Sequence, residues 1–193
     1  MSLLVDIEIN LRAVVTNFCH PSSYPDNSLL ETLYGVCCFS TIGLHPKGAL
    51  KYTDCDIKKF CMLLERPEGV GFGEVGLDHS VPYAEWQGQA LLRVLSLLKE
   101  RHVLVLHCRG ADGDIHGKEV HMSLLSIMLG VVSPEQHIHL HCFQGDMEVL
   151  RSILNSFPNT YVGYTHNVDD LTEDAAVALR LVPSDRLLVE ADA

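Results

Sequence analysis

Long apolar runs are missing from this chain: none approaches the roughly 20 residues of a membrane-spanning helix, so no membrane partner is expected. The N-terminal stretch Met1-Ser2-Leu3-Leu4-Val5-Asp6 lacks the basic start, the extended apolar core and the small-residue cleavage site of a signal peptide. The 7 cysteines are odd in number and irregularly spaced, and form neither a disulfide framework nor a Cys-x-x-Cys zinc pattern. Together these absences predict an intracellular chain, cytoplasmic or nuclear. Positive charge is also scarce, with 14 Lys and Arg against 25 Asp and Glu and a formal net charge of −11. That balance argues against broad, charge-driven coating of nucleic acid. It leaves room for a nuclease, because bound divalent cations invert the local sign of an acidic site. There is no linker-like or low-complexity segment and no internal repeat.

What remains is a chain of 193 residues, 47% hydrophobic and 20% charged, which reads as one globular unit able to bury a sizeable core. Short apolar runs predict seven strands, near 11–18, 36–44, 70–75, 103–107, 137–142, 160–164 and 186–190. Amphipathic stretches predict helices around 27–34, 54–66, 84–101, 118–129, 147–157 and 172–181, with Asp54 or Asp56 capping the second. Strands alternating with helices imply βαβ units and a parallel sheet. A complete eight-stranded β/α barrel takes about 250 residues. The reading is therefore an α/β fold, a TIM-type barrel over 11–193 that lacks its first strand and last helix. Residues 1–10 are read as an N-terminal remnant or linker.

Four of the strands carry a potential metal ligand at the carboxyl end: Glu74, His107, His141 and Asp192. In a β/α barrel those ends meet at one face, so residues distant in sequence converge. Carboxylate with imidazole suits one or two divalent ions such as Mg²⁺, Mn²⁺ or Zn²⁺. Singly, such a residue is more often a loop hydrogen-bonder or a helix cap; four in one architectural position point to a metal centre. His139 shares the side of its strand with His141, as a hydrogen-bond partner to a ligand or as an inward-packed ring. His166 reads as a loop residue on the same face. No Ser or Cys nucleophile motif competes.

The blocks Gly43-Leu44-His45-Pro46, Gly73-Glu74-Val75-Gly76-Leu77-Asp78, His107-Cys108-Arg109, His141-Cys142-Phe143-Gln144-Gly145 and Val189-Glu190-Ala191-Asp192-Ala193 resemble, in order, those of the TatD-type metal-dependent DNases of the amidohydrolase-like superfamily. Asn17-Phe18-Cys19 and Leu44-His45-Pro46-Lys47 look most like the subgroup of the vertebrate TatD DNase domain protein 2. The resemblance implies a hydrolase that cleaves DNA phosphodiesters, often as an exonuclease, with a metal-activated water. It implies that Glu74 bridges two metals and that His107 and His141 complete one site. Asp192 would bind the other metal and accept a proton from the water. His45 and Arg109 match substrate-facing positions. Asp78 is expected to fix its loop, and Lys47 to be a solvated loop lysine.

One departure stands out. The family begins with a strand bearing a His-x-His pair, and no such pair precedes the first strand here. Only Glu74 and Asp192 would then serve the second metal, and the sheet would keep two open edges. A truncated or inactive binding protein, and a related hydrolase acting on a non-nucleic-acid ester or amide, therefore stand beside the nuclease reading.

Overall fold

The computed structural model describes residues 14–34 and 38–191. The expectations for residues 1–10, for the outer parts of the first two strands and for Asp192 lie outside these. Seven strands form one all-parallel sheet in sequence order: β1 (Val14–Phe18), β2 (Cys38–Ile42), β3 (Gly69–Asp78), β4 (Val103–Arg109), β5 (Ile138–Leu140), β6 (Thr160–Tyr164) and β7 (Leu187–Val189). Helices α1 (Asn27–Tyr34), α2 (Asp54–Leu64), α3 (Gln87–Leu95), α4 (Lys118–Val131), α5 (Met147–Ser156) and α6 (Glu173–Leu181) alternate with them. The result is a TIM-type half-barrel. Among the described residues β1 pairs with β2 alone and β7 with β6 alone, so both edges are open. The edge residues Val15 and Val189 are 59% and 91% exposed. No described helix is long and apolar enough to cross a membrane.

Alternation along each strand sorts the side chains into two layers. Phe72, Leu104, Leu106, Ile138, Leu140 and Val162 face outward and are fully buried under the helices, against Phe60, Leu124, Met128, Val149 and Leu150. The Phe60 and Phe72 rings meet edge to face at 5.0 Å, an arrangement that adds to their burial. The inward face carries Asn17, Thr41, His107, His139 and Glu190 instead, around an open cavity. Greasy outside and polar inside, the sheet holds its functional groups where the barrel axis runs.

Three details differ from the sequence reading. The cap of α2 is Thr53, whose hydroxyl accepts from Asp56 N while the Asp56 carboxylate accepts from Thr53 N. Asp56 thus sits at the third helical position of a capping box, and Asp54 only lies in the first turn. Helix α3 stops at Leu95 rather than near 101: Lys99 N–H donates to His102 Nδ1, 3.2 Å, and tight turns replace the helical ladder. Leu97 and Leu98 still pack on the core, which is why the apolar period runs past the helix end. β3 runs on to Asp78, where the Gln87 amide clasps both backbone groups: Asp78 N donates to its Oε1 (2.6 Å) and its Nε2 donates to Asp78 O (2.9 Å).

The two kinds of stabilisation separate in mutants. Phe72→Ala should cost about 3–5 kcal/mol by leaving a cavity under α2, and Thr53→Ala about 1 kcal/mol by uncapping it. Urea denaturation checks both, and a Phe72→Ala loss no larger than that of Thr53→Ala would contradict this core.

Candidate metal centre

The carboxyl ends of the strands surround a cavity of about 720 Å³ whose wall includes Asn17, His45, Glu74, His107, His141 and Glu190. Glu74 stands at its centre and is 6% exposed. Its Oε1 accepts a hydrogen bond from Asn17 Nδ2 and lies 3.6 Å from His141 Nε2. Its Oε2 lies 3.5 Å from His107 Nδ1 and 3.9 Å from His45 Nε2. Asn17 is itself held, its Oδ1 accepting from the Thr41 hydroxyl at 2.7 Å. Close packing sets this position: a Cβ at Gly43 would fall 2.2 Å from Glu74 N.

Each histidine beside Glu74 is turned by a second carboxylate. His107 Nε2 is 3.0 Å from Asp78 Oδ2, and Asp78 is fully buried, accepting also from Ser80 N (3.0 Å) and the Ser80 hydroxyl. His141 Nδ1 is 2.8 Å from Glu190 Oε1. Glu190 lies 2.6 Å from His139 Nε2 and accepts from Cys142 N at 2.9 Å. Cys142 adopts φ 48°, unusual outside glycine, and this turn aims its N–H at Glu190. Gly163 leaves room for the same carboxylate, since a Cβ there would stand 2.4 Å from it. A carboxylate that takes the N–H of one ring nitrogen leaves the lone pair of the other facing Glu74. This is how metal-binding imidazoles are oriented.

The charges follow from this packing. Burial works to raise the Glu74 and Glu190 carboxyls, but the histidine hydrogen bonds and charges outweigh it and hold both below the usual range. Burial likewise works to lower the two imidazoles. Contacts with Cys142, Glu190 and Glu74 nonetheless push His141 up to about 11, and Asp78 and Glu74 raise His107. His45 is the opposite case: burial and the neighbouring His107 bring it down to about 4, so it is neutral at pH 7. Its Nδ1 accepts from Lys47 N at 3.2 Å, so its proton sits on Nε2 and points toward Glu74. His45, Asp78 and His107 also lie within metal-binding distance of one another, as do His139, His141 and Glu190. In the first group His107 and Asp78 share a hydrogen bond, and Asp78 is already engaged by Ser80.

Of the residues expected from sequence, Glu74, His107 and His141 converge, and His45 joins them. Arg109 lies exposed on the cavity rim. Asp78 fixes its loop through Ser80 and orients His107 as well. Lys47 reaches Asp78 at 3.5 Å rather than only solvent. His166 is exposed and outside the cavity wall. Asn17 and Glu190 were read only as parts of family blocks. Glu190 shared the strand-end signal of Asp192, and Asn17 carried none, since a polar residue closing a strand is common. Glu74 with His107 and His141 supplies a carboxylate and two imidazoles, a donor set that fits a divalent ion.

Metal and proton compete for these imidazoles. His141, raised to about 11, is protonated at neutral pH without metal, and His107 is shifted in the same direction; the stabilisation of the protonated form is lost as pH climbs through the folded values. Divalent-metal binding at pH 7 should therefore release protons, and affinity should tighten about tenfold per pH unit for each proton displaced. Calorimetry in buffers of different ionisation enthalpy measures the release; buffer-independent heats would contradict the assignment.

Residues 8–193 match the model of the TatD-related DNase family. The chain is 35% identical over 188 residues to the human 3'-5' RNA nuclease TATDN2, covering 94% of this chain and 23% of that protein. It is 36% identical over 163 residues to the 3'-5' ssDNA/RNA exonuclease TatD of Enterobacter lignolyticus, covering 81% and 58% respectively. In fold it is similar to an uncharacterized amidohydrolase from Saccharomyces cerevisiae, with TM-score 0.72, 18% identity, and 94% of this chain and 64% of that one covered. A TatD family hydrolase from Entamoeba histolytica gives 0.73, 20%, 93% and 60%. The chain thus spans less than two thirds of the length of each of these proteins. With its half-barrel, its ordered blocks and a match over nearly all of its residues, the chain belongs to the TatD-related DNase family.

Proposed function

We propose that this chain is a divalent-metal-dependent hydrolase of phosphodiester bonds in single-stranded nucleic acid, working from a 3′ end. The observation that carries the reading is Glu74, a buried carboxylate faced from either side by a histidine whose far nitrogen is held by another carboxylate. The sequence pointed to DNA; the relatives, an RNA nuclease and an ssDNA/RNA exonuclease, add RNA, and both belong in the assay. Residues 11–193 act as one barrel unit in this reading.

Glu74, His107 and His141 would hold one or two divalent ions, Mg²⁺, Mn²⁺ or Zn²⁺; Asp192 would serve the second position and take the water's proton. Bound there, the ion would act as a Lewis acid toward a phosphate oxygen and lower the pKa of water. Asn17 keeps the Glu74 carboxylate in its orientation, and Asp78 and Glu190 keep the imidazoles in theirs. Neutral His45 presents an N–H to a phosphate oxygen, while Arg109 on the rim offers a paired donor for the same group.

The test is degradation of short end-labelled single-stranded DNA and RNA with Mg²⁺ or Mn²⁺, with chelator, and with variants. Glu74→Ala should lose more than about 100-fold in kcat/KM, and Asp78→Asn, which weakens the hold on His107, about 10–100-fold. A folded, metal-binding chain that cleaves neither strand would reject the nuclease reading. Turnover of esters or amides in its place would move it to another hydrolase of the superfamily.

A further inference from the structure

Several basic side chains of this acidic chain are neutralised by carboxylates. Arg66 pairs with Glu68, Arg93 with Asp54, Lys99 and Arg101 with Glu65, and Lys118 with Glu148. A shallow groove of about 490 Å³ adjoins the cavity and shares His20 and Lys47 with it. Lys51 and Lys59 line it further out, both exposed, and among the described residues neither has a carboxylate at ion-pair distance. The groove's one carboxylate, Asp56, is occupied by Thr53 N (2.9 Å) and the Thr53 hydroxyl (2.7 Å).

The groove is built on a fixed loop. The Tyr52 hydroxyl donates to His45 O at 2.6 Å, and the Tyr83 hydroxyl donates to Lys47 O at 2.8 Å. The groove therefore gathers Lys47, Lys51 and Lys59 around one carboxylate beside the centre, a surplus of positive charge that attracts phosphate.

We propose that the groove of His20, Lys47, Lys51 and Lys59 is a second phosphate subsite, holding a backbone phosphate of the nucleic-acid strand next to the one at the metal centre. The proposal rests on the nuclease reading for the identity of the strand. Lys51 and Lys59 supply charge without touching the reacting phosphate, so their effect is confined to substrates long enough to reach them.

The test is the double variant Lys51→Ala with Lys59→Ala, its folding checked by an unchanged melting temperature. Anisotropy of a short labelled oligothymidylate, with chelator present to prevent cleavage, reads binding alone. The variant should bind severalfold more weakly, and its log–log salt slope should flatten by about 0.7, the value for one phosphate neutralised on a single strand. In turnover, KM for the oligonucleotide should rise with kcat nearly unchanged. Hydrolysis of bis(p-nitrophenyl) phosphate, which has no second phosphate, should not change. Unaltered oligonucleotide affinity and slope would overturn the subsite, as would an equal loss on the small diester. Competition by inorganic phosphate as effective as by the oligonucleotide would overturn its assignment to a strand. A chain that binds the oligonucleotide through the groove yet cleaves nothing would remove the nuclease reading and leave the subsite standing.

Discussion

Burying the Glu74 carboxylate is the constraint from which the active face follows. Taking a carboxylate out of water costs several kcal/mol unless donors and opposite charge replace the lost hydration. Here the replacement comes from Asn17, His107 and His141, and the two histidines are in turn anchored by Asp78 and Glu190. The outcome is a line of alternating carboxylates and imidazoles, Asp78–His107–Glu74–His141–Glu190, drawn across β3, β4, β5 and the end of β7. Well-packed apolar residues would stabilise a barrel at least as well. So much ionisable chemistry in one buried place marks a working site.

The parallel sheet makes that line possible. Every strand delivers its last inward residue to the same face, and the apolar layer beneath the helices holds the strands in register. Small residues then leave the space that charged groups need, Gly163 for the Glu190 carboxylate and Gly43 for the backbone of Glu74. The stability of this protein and its chemistry lie on opposite faces of the same strands. Substitutions under the helices should therefore act on folding, and those facing the cavity on binding.

Charge is distributed with the same economy. A net charge of −11 disfavours nucleic acid at long range, yet Lys47, Lys51 and Lys59 gather in one groove at the cavity edge. Total charge governs the average field, whereas placement governs where a phosphate can settle. A metal at Glu74 would add positive charge beside that groove.

Much of this was readable in one dimension. Seven apolar runs announced the strands, and Glu74, His107 and His141 stood out because each closes such a run, where a barrel's active face must be. Thr53 as the cap of α2, the end of α3 at Leu95, and the pairing of Asp78 with His107 and Glu190 with His141 were not readable. Nor was the meeting of His20, Lys47, Lys51 and Lys59 in one groove. Periodicity within a strand or helix is a local property, so the sequence by itself determined which face each side chain takes and which residues end the strands. Which of those side chains touch, and with which nitrogen, depends on register, sheet curvature and loop packing between segments far apart in the chain. Only the tertiary structure decided that.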